Sequence, residues 1–233
     1  SDLEQELQVT ISDQDIWAAA DMINKEKKAI KAMFDLNRAD PPPLSGMDML
    51  TAAWSRSFSS NKGEMVDNLN GLVREAANQP KNGKTKAPRV LLTGCPVGLG
   101  TEKVIRLTEE LGANIVAMEN CSGYKTLELQ TDIQGTDPIV ELAKTYMAIP
   151  CSCMSPNPYR MELLDSMLDD FQADAVIDLT WQACHTYNIE AFEVGKLVKS
   201  KGLPYLHLES DYSNSDLESL KVRIEAMLEM VEI

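Results

Sequence analysis

The sequence predicts an α/β fold: a Rossmann-like parallel sheet flanked by helices and preceded by a helical segment. Three observations predict it. Apolar residues recur at helical spacing through the first third of the chain. Four short apolar runs then alternate with helix-period stretches, the pattern of βαβ units and a parallel sheet. Cysteine or acidic residues follow each run, where ligand-facing loops beyond strand ends would lie.

The helical segment begins at Ser12, which caps a helix with Asp15 three residues on, a capping-box-like start. Ile16, Ala19, Ala20, Ile23, Ile30 and Phe34 continue it at helical spacing, and Pro41, Pro42 and Pro43 end the run. Two further helices are expected over residues 47–58 and 64–77. Residues 78–88, rich in Lys, Asn, Gly and Pro, mark a boundary, so residues 1–85 read as the helical segment and 86–233 as the α/β domain. Strands are expected at 90–93, 114–118, 175–179 and 205–208. Helices are expected at 101–111, 137–147, 158–171, 189–200 and 215–230.

The 233 residues, 44% hydrophobic and 25% charged, suffice for a sizeable core and argue against wholesale disorder. The formal net charge of -14 repels phosphate backbones, so nucleic-acid binding is not expected without a basic patch. Lys81, Lys84 and Lys86 lie close together, but Pro80 and Gly83 mark that stretch as a solvated linker. No run approaches the roughly 20 apolar residues that span a bilayer. The polar, acidic start from Ser1 to Gln8 is not a secretory signal, and the reading is cytoplasmic. In a reducing compartment the five cysteines are expected as free thiols. The chain starts at Ser1, which is expected either from removal of an initiator methionine or from truncation.

Cys95 follows the first strand, Cys121 the second and Cys184 the third, while Glu209 and Asp211 follow the fourth. The proposed sheet therefore gathers three cysteines and two carboxylates on one edge. Cys151 and Cys153 lie in a loop after the 137–147 helix. Thiolates are soft ligands for iron–sulfur clusters, zinc or copper(I). The only close pair is Cys151-Ser152-Cys153, unlike the C-x-x-C knuckles of zinc ribbons. A buried free cysteine is otherwise a small hydrophobe. Gly98 and Gly100 could offer amides to a phosphate or a cluster sulfide, but Lys103 breaks the dinucleotide fingerprint. The bland reading of that turn is close packing of backbone against a helix. His185, beside Cys184, is either an exposed loop histidine or a hydrogen-bond or proton donor. His207 alternates with Leu206 and Leu208 and reads as facing the sheet's other side. Glu209 is a candidate base, and Asp211 either a base or a cap.

Five segments carry a resemblance: Leu92-Thr93-Gly94-Cys95-Pro96, Glu119-Asn120-Cys121-Ser122-Gly123, Pro150-Cys151-Ser152-Cys153-Met154-Ser155-Pro156-Asn157, Trp181-Gln182-Ala183-Cys184-His185-Thr186-Tyr187 and Glu209-Ser210-Asp211-Tyr212-Ser213. With Ala39-Asp40-Pro41-Pro42-Pro43-Leu44-Ser45-Gly46 in the helical part, they resemble the 2-hydroxyacyl-CoA dehydratase and benzoyl-CoA reductase subunit family, of the 2-hydroxyglutaryl-CoA dehydratase D-component type and nearest its double-cubane-cluster branch. The resemblance implies an oxygen-sensitive [4Fe–4S] cluster, or a double-cubane cluster. It implies an ATPase activator that injects low-potential electrons, an acyl-CoA substrate, and a homodimer or second dehydratase subunit as partner. It also implies an N-terminal α/β domain ahead of this chain, so the expectation is the C-terminal part of a larger lyase. By the same resemblance Cys184 matches the late cluster cysteine, Cys95, Cys121 and Cys153 match further ligand positions, and Cys151 is the alternate in its loop. The expected activity is radical dehydration of a 2-hydroxyacyl thioester. The alternatives are an ATP-dependent reductase of small molecules, a cluster-free dimerisation scaffold, and a nucleotide binder using Gly98 and Gly100.

Overall fold

The computed structural model describes residues 1–78 and 84–231. The linker signals at Pro80, Lys81 and Gly83 lie outside the described residues.

The sheet has four parallel strands, β1 (Arg89–Gly94), β2 (Asn114–Glu119), β3 (Ala175–Trp181) and β4 (Tyr205–Ser210), in the order β2-β1-β3-β4. Strands β1 to β3 are buried along their whole length, as parallel strands covered on both faces must be. Each observed strand contains its expected run and extends it by one or two residues.

Nine α-helices are described. They are α1 (Asp2–Leu7), α2 (Asp13–Asp35), α3 (Gly46–Ser55), α4 (Lys62–Asn78), α5 (Lys103–Glu110), α6 (Pro138–Met147), α7 (Pro158–Asp170), α8 (His185–Ser200) and α9 (Leu217–Leu228). Ser12 and Asp15 form the expected capping box of α2. The same device starts α3, where Ser45 accepts from the Asp48 amide and Asp48 accepts from the Ser45 amide. Asp137 caps α6, whose first residue is Pro138.

Two helices differ from expectation. The short α1 has no buried residue, so no apolar stripe announces it; its Ser1–Glu4 capping box is the local signal. Helix α8 begins at His185 instead of residue 189, because its first turn carries polar residues on the exposed side.

The chain passes from β1 through α5 to β2 on one side of β1, and from β3 through α8 to β4 on the other. Right-handed crossovers in opposite directions put α5 and α8 on opposite faces. Accordingly α5 packs with α9, and α8 with α7. The strand order therefore reverses between β1 and β3, and the crevice beyond their carboxyl ends is the topological switch point.

The helical segment closes onto this sheet. Buried residues Ile30, Phe34, Met49 and Leu50 belong to the same apolar core as Leu91, Ile115 and Val176. A Cβ on Gly46 would stand 2.7 Å from that of Ile115, so glycine lets α3 approach β2 closely. Arg89, buried at the start of β1, donates to the carbonyls of Asn37, Ala39 and Phe171 and so ties the segment to the end of α7. Asn24 of α2 exchanges two hydrogen bonds with the backbone of Thr131, at 2.8 and 2.9 Å. Among the described residues no helix is long and apolar enough to cross a membrane.

Candidate functional site at the carboxyl edge of the sheet

Cys95 immediately follows β1 and Cys184 is the N-cap residue of α8 after β3, so both stand at the switch point. All five cysteines are free. Cys95 is buried; its amide donates to the Leu179 carbonyl at 2.7 Å and its Sγ accepts from the Trp181 amide at 3.4 Å. Gly94 makes this seat possible. Its φ is 102°, and a Cβ there would lie 2.2 Å from the Leu179 carbonyl oxygen.

The Cys95 and Cys184 thiols are neighbours that act on each other's titration. Burial pushes the Cys95 thiol up to about 12, with the neighbouring Cys184 and Asp178 adding to the shift and the Trp181 amide opposing it. Burial raises Cys184 less than its donors lower it: the Tyr187 amide, the Thr186 hydroxyl and Cys95 bring it below the ordinary thiol value. A thiol at a helix N-terminus is favoured as thiolate for the same reason. Ala183, just before it, holds a left-handed φ of 68°, a strained conformation that turns the chain sharply into α8.

Cys121 is exposed two residues beyond β2, with its Sγ 3.8 Å from the Tyr187 hydroxyl. Cys151 and Cys153 share a loop between α6 and α7, where the Cys153 amide, the Cys153 thiol and the charge of Lys125 lower the Cys151 thiol. Contact with Cys151 raises Cys153 in turn. This loop is fastened to α8: Ser152 Oγ bonds Thr186 Oγ1 at 3.1 Å, and Asn157 donates to the Cys151 carbonyl and to Glu190. A groove of about 660 Å³ runs past Cys153 between the loop and α8, floored by Met154, Pro156, Met161 and Ile189.

Beneath the thiols lies a buried ionic network that the sequence reading did not assign. Glu119, Thr93, Asp178 and His207 occupy one register row across β2, β1, β3 and β4. Aligned side chains on parallel strands point to one face, and here that face meets α7 and α8. Arg160 of α7, fully buried, donates to Glu119 and Thr93 and pairs with Glu190 of α8. Glu119 also accepts from Thr93 at 2.5 Å and faces Lys125 Nζ at 3.3 Å. Burial opposes the Arg160 charge, but Glu119 and Glu190 raise its pKa above the ordinary value. Asp178 is raised by burial, and Tyr205 donates to it at 2.9 Å. Each cysteine loop sends a side chain into this network: Thr93 lies two residues before Cys95, Lys125 four after Cys121, Arg160 seven after Cys153 and Glu190 six after Cys184.

The remaining candidates sit around this edge. His185 is exposed as the first residue of α8, and Glu209 is exposed at the end of β4, where Asn188 bonds it at 3.3 Å. His207 meets Thr180 at 3.0 Å on the face of the ionic network. Asp211 accepts from the Ser213 amide at 2.7 Å, a loop-closing role. The turn amides that an anion would need are engaged: Gly98 N–H bonds Thr101 Oγ1 and Gly100 N–H bonds the Glu102 carboxylate. Gly98 also packs on Trp54, whose ring would lie 2.6 Å from an added Cβ. These contacts favour the close-packed-turn reading over phosphate binding.

A family model described as 2-hydroxyglutaryl-CoA dehydratase, D-component, matches residues 1–231. The chain is 37% identical over 224 residues to "Putative dehydratase subunit YjiM" of Escherichia coli (strain K12), an alignment spanning 95% of this chain and 58% of that protein. The chain thus spans rather more than half the length of this curated relative.

Proposed function

The chain belongs to the 2-hydroxyglutaryl-CoA dehydratase D-component family, and from that premise we propose that it is a dehydratase subunit whose switch-point thiols hold an iron–sulfur cluster. The observation that carries the reading is the placing of Cys95 and Cys184 together at the crevice beyond β1 and β3, where open parallel sheets bind their ligands.

The donor chemistry fits a cluster in part. The thiols are soft ligands, all free; Cys95 Sγ receives a backbone N–H and Cys184 Sγ meets the Thr186 hydroxyl, as hydrogen-bonded cluster thiolates do. Among the described residues no three His, Cys, Asp or Glu side chains stand together as a ready metal site. Cys95 and Cys184 are therefore assigned as two ligands, with Cys121 and Cys153 as further thiols and Cys151 as the alternate to Cys153. A bound cluster supplies single low-potential electrons that no side chain can.

The chain's own residues do the rest. The Trp181 amide holds the Cys95 sulfur and the Thr186 hydroxyl that of Cys184. The groove beside Cys153 has the size and apolar floor of a small-molecule site and is the place assigned to an acyl-CoA thioester. His185, exposed next to Cys184, is the assigned proton donor, and Glu209 the assigned base. The electron donor in this reading is an ATPase activator, and the partner a second copy or a second dehydratase subunit.

Cys184→Ser tests the assignment. After anaerobic reconstitution the variant should lose its iron while melting within a few degrees of the parent. Full retention of iron removes Cys184 from the ligand set and, with it, the switch-point site.

A further inference from the structure

Tyr187 lies on α8, the helix that Cys184 caps, and reaches a cysteine of another loop. Its ring is buried. Its hydroxyl stands 2.7 Å from Lys125 Nζ and 3.8 Å from Cys121 Sγ. The direction of these bonds is fixed by donor chemistry. A lysine ammonium has donors and no lone pair, so Lys125 donates to the phenol oxygen. The phenol hydrogen is then left for another acceptor, and Cys121 Sγ is the one at hand.

The surroundings hold the ring in that pose. Lys125 Nζ lies 4.8 Å and the Arg160 guanidinium 5.0 Å from the ring centroid. Both cations are themselves held by Glu119, at 3.3 and 3.0 Å. Such a web of ion pairs fixes orientation at a cost in desolvation, and here the side chain it orients points at the thiol edge.

We propose that Tyr187 is a positioning residue for the cluster, donating its hydroxyl to Cys121 Sγ. The inference rests on the cluster reading and deepens it: a residue of the helix that Cys184 caps holds the Cys121 thiol and tunes the bound group. Hydrogen bonds to ligand sulfur stabilise the more negative, reduced state and raise the reduction potential.

Tyr187→Phe keeps the ring and the amide and removes only the hydroxyl. The experiment compares parent, Tyr187→Phe and a chain with 3-fluorotyrosine at position 187, each reconstituted without oxygen with iron and sulfide. Iron content, melting temperature and midpoint potential are read together. The Phe variant should bind as much iron as the parent at a lower potential. The fluorotyrosine chain, a stronger donor of the same shape, should shift the potential upward. Equal iron with an unchanged potential in both overturns the proposal. If the Phe variant does not hold iron, the fluorotyrosine chain decides alone, by a raised or an unmoved potential.

The failure of the cluster reading looks different: the parent itself binds no iron. In that case mass-resolved alkylation of the iron-free chain tests the contact. Loss of the hydroxyl that contacts Cys121 Sγ should change the Cys121 alkylation rate about twofold or more and leave Cys153 unchanged. Identical Cys121 rates overturn the proposal there.

Discussion

Arg160→Met should destabilise the protein by about 3–5 kcal/mol, the usual cost of removing one partner from a buried ion pair. Arg160 is wholly buried and serves Glu119, Thr93 and Glu190 at once. Methionine fills similar space, so little of the loss comes from a cavity. What is lost is the countercharge: Glu119, wholly buried on β2, would keep Lys125 and its bond from Thr93, and Glu190 would keep only its bond from Asn157. Urea unfolding with an unchanged slope would report the difference cleanly. Adding Glu119→Gln to Arg160→Met should recover part of the loss, since an amide is cheaper to bury than an unpaired carboxylate. A single-variant cost below about 1 kcal/mol would mean that water reaches Arg160 and that the network is not dry.

Gly94→Ala should cost on the order of 3 kcal/mol or more, through backbone strain and a collision acting together. At φ 102° a side chain is strained in any surroundings. The new Cβ would also meet the Leu179 carbonyl oxygen at 2.2 Å and Asp178 at 2.6 Å, contacts relieved only by parting β1 from β3. The parting would fall at the bond from the Cys95 amide to that same carbonyl. Cys95, now nearly unexposed, should then become open to alkylation in the folded protein. A variant that melts like the parent with Cys95 still protected would show that the turn has another conformation to use.

Much of the fold was legible in the sequence because its strands are buried on both faces. Runs such as Leu91-Leu92 and Ile115-Val116 are short, apolar and bounded by turn residues, and all four strands fall where the pattern puts them. The placing of cysteines after β1, β2 and β3 was legible for the same reason. The meeting of Cys95 with Cys184 was not, since it depends on β1 lying next to β3, and strand order leaves no local pattern. The start of α8 was missed because a first turn of His, Thr, Tyr and Asn carries no apolar repeat.

The ionic network was missed for a different reason. Arg160 falls on the buried stripe of α7 with Leu163, Leu164, Met167 and Leu168, and an arginine in step with four apolar residues is a visible sign of a buried charge. Glu119 ends a strand that is otherwise apolar apart from Asn114, which is a second such sign. Neither sign names its partner. Lys125 and Glu190 come from a turn and from a helix far along the chain, and only the folded register brings them to Glu119 and Arg160.

The central claim is that the thiols beyond β1 and β3 hold an iron–sulfur cluster. Iron and acid-labile sulfide, measured per chain on protein purified and reconstituted without oxygen, test it most directly. The account predicts iron and sulfide in equal amounts, lost together when Cys95 or Cys184 is replaced by serine. A chain that keeps all its thiols free and folded under those conditions, yet binds no iron, would contradict it.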